Sequence, residues 1–264
     1  MIEVSIVRFI KILRQDLSNI FHNPTLIFSN TILPLVLIGV LGFITKSGFG
    51  DTPVNSFDYY GINMMIFSVG MIAITATNAF MEERIKKGNF RIAYAPIRKS
   101  ELYLSKILSS YLICAICYDI LVPLCQYILH LNMGGENIFY FILLLNILGF
   151  CGSCFGIMFC CIFKQEEQAN AIMQIPLFIA LLLGGVLFQV HRLGDFVNNI
   201  AKFSPIKWIA DCSYQIIFDN NFQLFIPTCL KVLGLSVIFI FICQLLFVSY
   251  YLNRRNTYDK CFEK

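Results

Sequence analysis

Six long apolar blocks alternate with short polar segments along this chain. Leu26–Thr45 and Tyr59–Phe80 contain no charged residue. Leu102–Leu129, Ile138–Phe163, Ala169–Val190 and Ile226–Leu252 follow with very few. A helix rises about 1.5 Å per residue, so about 20 apolar residues cross the hydrocarbon layer. The pattern therefore predicts six transmembrane helices in an all-α integral membrane protein. Ahead of the first block the periodicity changes. Ile6, Ile10, Leu13, Leu17 and Ile20 recur at helical spacing, while Arg8, Lys11, Gln15 and Ser18 take the other side. Residues 1–23 thus read as an amphipathic helix lying in the membrane interface, closed by Asn23-Pro24. They lack the continuous apolar core and cleavage site of a secretory signal, so the first span is expected to stay as an anchor.

Charge orients this array. Met81–Glu101 carries Arg84, Lys86, Lys87, Arg91, Arg98 and Lys99 between two apolar blocks. Basic loops resist translocation, which places this one in the cytoplasm. The other segments agree: Arg8, Lys11, Arg14, Lys164, Arg254, Arg255, Lys260 and Lys264 fall on the same side. Only Lys46, Arg192, Lys202, Lys207 and Lys231 fall opposite, and Lys106 sits near the inner end of the third span, where it is expected to snorkel. Both termini are thereby predicted to be cytoplasmic. His191–Phe225 holds apolar stretches too short to cross. They read as short helices dipping into, or lying on, the outer interface, a boundary that suits the single tryptophan, Trp208.

Composition agrees with one membrane domain spanning residues 1–264: 58% of residues are hydrophobic and 14% charged, against about 25% charged in a soluble domain. A net charge of +4 gathered at loops gives no reason to expect nucleic acid as a partner. Among the eleven cysteines, Cys114/Cys117 and Cys151/Cys154 share helix faces. They read as small apolar packing residues rather than as a metal or redox pair. Cys212 and Cys229 allow an outer disulfide. Asp119 lies deep in the third span, where a carboxylate costs about 2.5–3.5 kcal/mol. It is expected to face the bundle interior, either as a functional group or as a polar contact between helices. Gly152-x-x-x-Gly156 offers close helix packing. No phosphate-binding loop, HExxH or GxSxG occurs, and the three histidines stand apart. The chain is therefore expected not to be an enzyme, and to need no metal or other cofactor.

Three stretches carry a resemblance. In Glu82–Lys106 an acidic pair, Lys87-Gly88, Ala95-Pro96 and Lys106 stand in one order. Gly184-Gly185-Val186-Leu187-Phe188 ends the fifth block, and Ser204-Pro205-Ile206-Lys207-Trp208 precedes the sixth. Together with the interfacial helix, six spans and basic loop, they resemble the permease subunit of type-2 ABC exporters over nearly the whole chain. Asn89 departs from the threonine common in that family.

The resemblance implies a subunit of the bacterial cell membrane without ATPase activity. It would pair with a second permease, identical or related, and with separate ABC ATP-binding subunits. The loop after span two would form a coupling helix, with Glu82, Glu83, Arg84, Lys87, Gly88, Phe90 and Arg91 meeting the ATPase. Gly184, Gly185, Pro205 and Trp208 would mark an outer re-entrant segment. The cargo would be a drug, antibiotic peptide, lipid-linked or other amphipathic molecule, with membrane lipid around the bundle. Two other readings compete: a non-transporting scaffold or immunity protein, and an ion-coupled transporter. The latter would need more buried ionisable residues than Asp119.

Overall fold

In a computed structural model, residues 2–49, 55–81, 99–163, 165–187 and 195–262 are described, and among them the fold is entirely helical. Helix α1 spans Ile2–Phe21 and α2 spans Pro24–Phe49. The second block forms two helices, α3 (Ser56–Gly70) and α4 (Ile72–Met81), joined at Met71. The third and fourth form α5 (Lys99–Tyr127) and α6 (Ile138–Ile162). Then come α7 (Glu166–Leu183), α8 (Asp195–Ala201), α9 (Pro205–Phe218) and the long α10 (Phe225–Phe262).

Among the described residues five segments are long and apolar enough to cross a membrane: Pro24–Lys46, Ser56–Met81, Ser100–Tyr127, Gly135–Ile162 and Phe225–Leu246. The fifth predicted span, Ala169–Val190, is not among them. Its helix starts earlier, on Glu166 and Glu167, and stops at Leu183. Gly184 and Gly185 follow, and Gly185 has a φ of 73°, a left-handed conformation that only glycine adopts readily. The predicted second span is likewise two helices rather than one. The 38-residue α10 carries the last span well past its apolar part. Pro34 lies inside α2 without ending it.

Helix α6 is the hub. It packs against α3, α4, α5, α7, α9 and α10. Its glycines explain how so many neighbours approach. A Cβ on Gly149 would lie 2.7 Å from the Cys114 sulfur, and one on Gly152 would lie 2.7 Å from Ile72 Cγ2. One on Gly156 would overlap the Ala73 carbonyl, so there α4 meets α6 backbone to backbone. The Thr77 hydroxyl closes this seam, donating to Ala73 O at 3.0 Å and to Gly156 O at 3.4 Å. In a membrane such contacts replace the hydrophobic drive that water supplies elsewhere. The paired cysteines Cys114, Cys117, Cys151 and Cys154 are buried free thiols packed among apolar side chains. Cys212 and Cys229 are free as well, so the allowed outer disulfide is not formed.

The α1 helix seats on the bundle by a narrower face than its periodicity suggested. Ile12, Asp16 and Ile20, four residues apart, are buried, with Leu17 packed beside them. Ile6 and Ile10, together with Val7, remain exposed. An apolar flank thus stays open next to the exposed Arg8, Lys11 and Arg14, the arrangement of a helix lying at a lipid boundary.

Candidate functional site

Two places concentrate polar chemistry inside this apolar bundle. The first lies at the end bearing α1, the start of α5 and the connection 82–98. Lys106 sits two turns into α5 and is 1% exposed. Its ammonium donates to Asp16 Oδ1 at 2.5 Å, and the Ser105 hydroxyl donates to Asp16 Oδ2 at 2.5 Å. Asp16 is 4% exposed. The expected snorkelling of Lys106 is therefore wrong. An acid on α1 reaches its ammonium inside the bundle, and a matched buried pair removes the need to reach water. Asp16 carried no expectation. Its signal was present, since it stands on the apolar stripe between Ile12 and Ile20, where a lone acid needs a buried partner.

Other contacts knit the same end. Asn30 of α2, also buried and unanticipated, donates to Thr75 Oγ1 of α4 at 3.0 Å and to Leu26 O at 2.7 Å. Tyr103 donates to Gln244 Oε1 of α10 at 2.6 Å, and Asn170 of α7 donates to Asn78 Oδ1 of α4 at 2.8 Å. Helices α1, α2, α4, α5, α7 and α10 are each tied to a neighbour here by a polar bond between side chains. The connection that joins α4 to α5 holds Glu82, Glu83, Arg84, Lys87, Gly88, Phe90 and Arg91. These residues lie outside the described ones. What is described is its footing: Met81 is buried at the end of α4, and Lys99 opens α5.

The second place is the hairpin of α8 and α9. Ser204 precedes α9, and Pro205 takes the first helical position, where its missing N–H costs nothing. The Ser204 hydroxyl donates to Ala180 O near the end of α7 at 2.8 Å. Ile206 fills the space that Gly184 leaves open, with its Cγ2 2.5 Å from where a Cβ would stand. Gly70 faces both Leu181 and Ile206. Gly184, Gly185 and Pro205 are thereby brought together at one vertex. Gly70 is fourteen residues into the span that begins at Ser56, so this vertex lies about 21 Å below that end of the bundle. The other end of α9 lies at the surface, where Asn137 donates to Ile216 O at 3.4 Å and to Asn220 Oδ1 at 2.6 Å. Helix α9 thus descends into the bundle instead of lying on it. Along the way Tyr214 donates to Asn63 Oδ1 at 2.8 Å and stacks on Tyr59.

Trp208 belongs to this hairpin. Its Nε1 donates to Lys202 O at 2.6 Å, and the Lys231 ammonium of α10 lies 5.5 Å from its ring centroid. Asp119 joins neither place. It is exposed on the flank of α5 and accepts from Asn146 Nδ2 at 2.7 Å. The expectation that it faces the interior is therefore incorrect, while the alternative reading, a polar contact between helices, is the one made, from α5 to α6. The interior side of that turn is filled by Cys117, Tyr118 and Leu121, which are all buried.

Comparison with known proteins bears on what the two places serve. A search of curated proteins returned no match. A family model described as ABC-2 type transporter matches residues 8–218, from the α1 helix to the end of α9 and well over half of the chain. Members of that family are membrane components, generally non-catalytic, that work with ATP-binding subunits. This chain, a multi-pass helical membrane protein, belongs to the ABC-2 type transporter family.

Proposed function

We propose that the chain is the permease subunit of an ABC exporter in a bacterial cell membrane, with both termini in the cytoplasm. It moves an amphipathic cargo outward and is powered by a separate ATP-binding subunit. Two permeases, identical or related, form the path between them. The observation that carries this reading is the extent of the family match, which takes in the amphipathic helix, the basic connection and the re-entrant hairpin together. The chain supplies no phosphate-binding loop of its own, so the energy must enter through a contact.

That contact is the 81–101 connection, where Glu82, Glu83, Arg84, Lys87 and Arg91 offer ion pairs and Phe90 an anchor. Motion there reaches α5 directly, because the connection leads into Lys99. It reaches α1 through the Asp16–Lys106 pair. One pull on the loop then moves the interfacial helix and the third span as a body. The test is to purify the tagged full-length chain from its native membrane and measure ATP hydrolysis in the eluate. Hydrolysis should accompany the wild-type chain and fall about tenfold in the Arg84→Glu, Phe90→Ala double variant, a loss of the size expected when a buried anchor and an ion pair are removed. An eluate with no hydrolysis, or one that the double variant leaves unchanged, would sink the proposal.

A further inference from the structure

The α8–α9 hairpin leaves a group of side chains that packing within the chain does not explain. Phe196 and Ile200 stand four residues apart on α8 and Phe203 follows in the turn beyond it; Phe196 and Phe203 are 77% and 84% exposed. Lys202 is exposed beside them, with its ammonium held by Asn199 Oδ1 at 2.9 Å. Lys231 is exposed over the Trp208 ring, and the same ring's N–H rests on the Lys202 carbonyl. The two ammonium groups therefore belong to residues that bracket one tryptophan. The third lysine nearby, Lys207, is already neutralised by Asp211 at 2.7 Å. Among the described residues neither Lys202 nor Lys231 meets an acid.

Depth makes this imbalance informative. The hairpin vertex at Ser204 is level with Ala180 and Gly70, about 21 Å below the Ser56 end, and Lys231 lies six residues, or about 9 Å, inside α10. A lysine at hydrocarbon depth is costly unless an anion or water meets it. Stacking on tryptophan offsets part of that cost but leaves the charge unmatched. Two unmatched cations beside an apolar stripe form a surface with one charged end and one oily flank. That is the complement of an amphiphile whose head is an anion.

We infer that Lys202, Trp208 and Lys231 form a binding site for the phosphate head of an anionic lipid, with Phe196, Ile200 and Phe203 receiving its hydrocarbon part. The inference rests on the permease reading in that it names the class of the cargo; the binding itself requires no ATP-binding subunit. The phosphate sits between the two ammonium groups. It draws Lys231 away from the indole, and the change in the ring's surroundings is the signal of occupancy.

Trp208 is the only tryptophan in the chain, so its emission reports this site alone. The full-length protein is placed in phosphatidylcholine nanodiscs, and dioleoyl phosphatidic acid is added in steps. A saturable shift of tryptophan emission is expected, with no comparable shift when more phosphatidylcholine is added. Lys202→Gln and Lys231→Gln should each weaken the apparent affinity about tenfold, the loss that accompanies one charge-assisted contact. Lys202→Arg and Lys231→Arg should keep it, which separates lost charge from lost folding. Equal responses to the two lipids, or glutamine variants that titrate like the wild type, would overturn the site. A response to inorganic phosphate as strong as the response to the lipid would overturn the lipid as its ligand. Each of these outcomes is read without hydrolysis, so the site can fail while the ATPase contact stands, and the reverse.

Discussion

The two polar places in this bundle solve the same physical problem in opposite ways. At the end bearing the basic connection, charge is closed on itself: Asp16 meets Lys106, Ser105 takes the second carboxylate oxygen, and the group is sealed from solvent. At the α8–α9 hairpin two charges are left open: Lys202 and Lys231 flank Trp208, meet no acid among the described residues and stand exposed. A closed pair joins two helices and offers nothing to a ligand. An open pair joins little and invites one. Under the function and the lipid site proposed above, the difference separates a place that transmits movement from a place that receives a molecule.

Breaking the closed pair should have the largest effect. Lys106→Met leaves the Asp16 carboxylate buried with only a hydroxyl, and Asp16→Ala leaves a buried ammonium. Losing one member of a buried pair costs about 3–5 kcal/mol. Thermal unfolding of the purified chain should show both single variants strongly destabilised. The double variant Asp16→Leu, Lys106→Met should recover much of the loss, because a buried pair replaced by apolar groups of similar size is often neutral. If the double variant is as unstable as the singles added together, the two residues are not a pair. Substitutions of Lys202 or Lys231 should leave the same melting curve almost in place, which is the sharpest form of the contrast.

An intermediate effect is expected at the seam that holds both places to one frame. Gly156→Leu drives a side chain into the Ala73 backbone, which has no freedom to yield. Overpacking of this kind costs about 1–3 kcal/mol. Gly234, on α10, has nothing within 4 Å of its missing Cβ. Gly234→Ala should therefore be neutral or stabilising by up to about 1 kcal/mol, since alanine is the better helix former. Equal melting points for the two variants would show that α4 and α6 do not touch at Gly156.

Much of this architecture was legible in the residues. The apolar blocks gave five of the six spans, four of them to within about three residues, and the periodicity gave the helix that precedes them, because length and hydropathy act locally. Gly184-Gly185 and Ser204-Pro205 marked the hairpin, because each dipeptide imposes a backbone turn or a helix start wherever it stands. What stayed hidden depended on a partner far along the chain. Lys106 looked like a snorkelling residue because Asp16, ninety residues away, cannot be paired with it by spacing. Asn30 and Thr75 were equally silent, since a polar side chain in a span shows its need but not its neighbour. The fifth helix stops at Leu183, short of the predicted Val190, because Gly184 and Gly185 end it inside the apolar run. The proposed coupling residues, from Glu82 to Arg91, remain readings of sequence, since they lie outside the described residues.

Asp119 supplies the smallest expected effect and a third case for the comparison. It was the one acid deep in a span, and the expectation of an interior role followed from the cost of burying it. The structure instead puts it on the outer flank of α5, where Asn146 donates to it and also reaches Ile142 O at 3.0 Å. It is neither closed like Asp16 nor clustered like the hairpin lysines. Asp119→Asn keeps an oxygen for Asn146 to bond and removes only the charge, so its effect on thermal unfolding should stay within about 0.5 kcal/mol, as for surface changes generally. Asp119→Leu also removes the acceptor, yet Asn146 retains its backbone bond, so the added cost should remain below about 1.5 kcal/mol. A loss of several kcal/mol in the asparagine variant would mean that the carboxylate is covered in the assembled transporter and meets a cation there. In that event Asp119 would belong with Asp16 as a closed charge, its partner supplied by another chain.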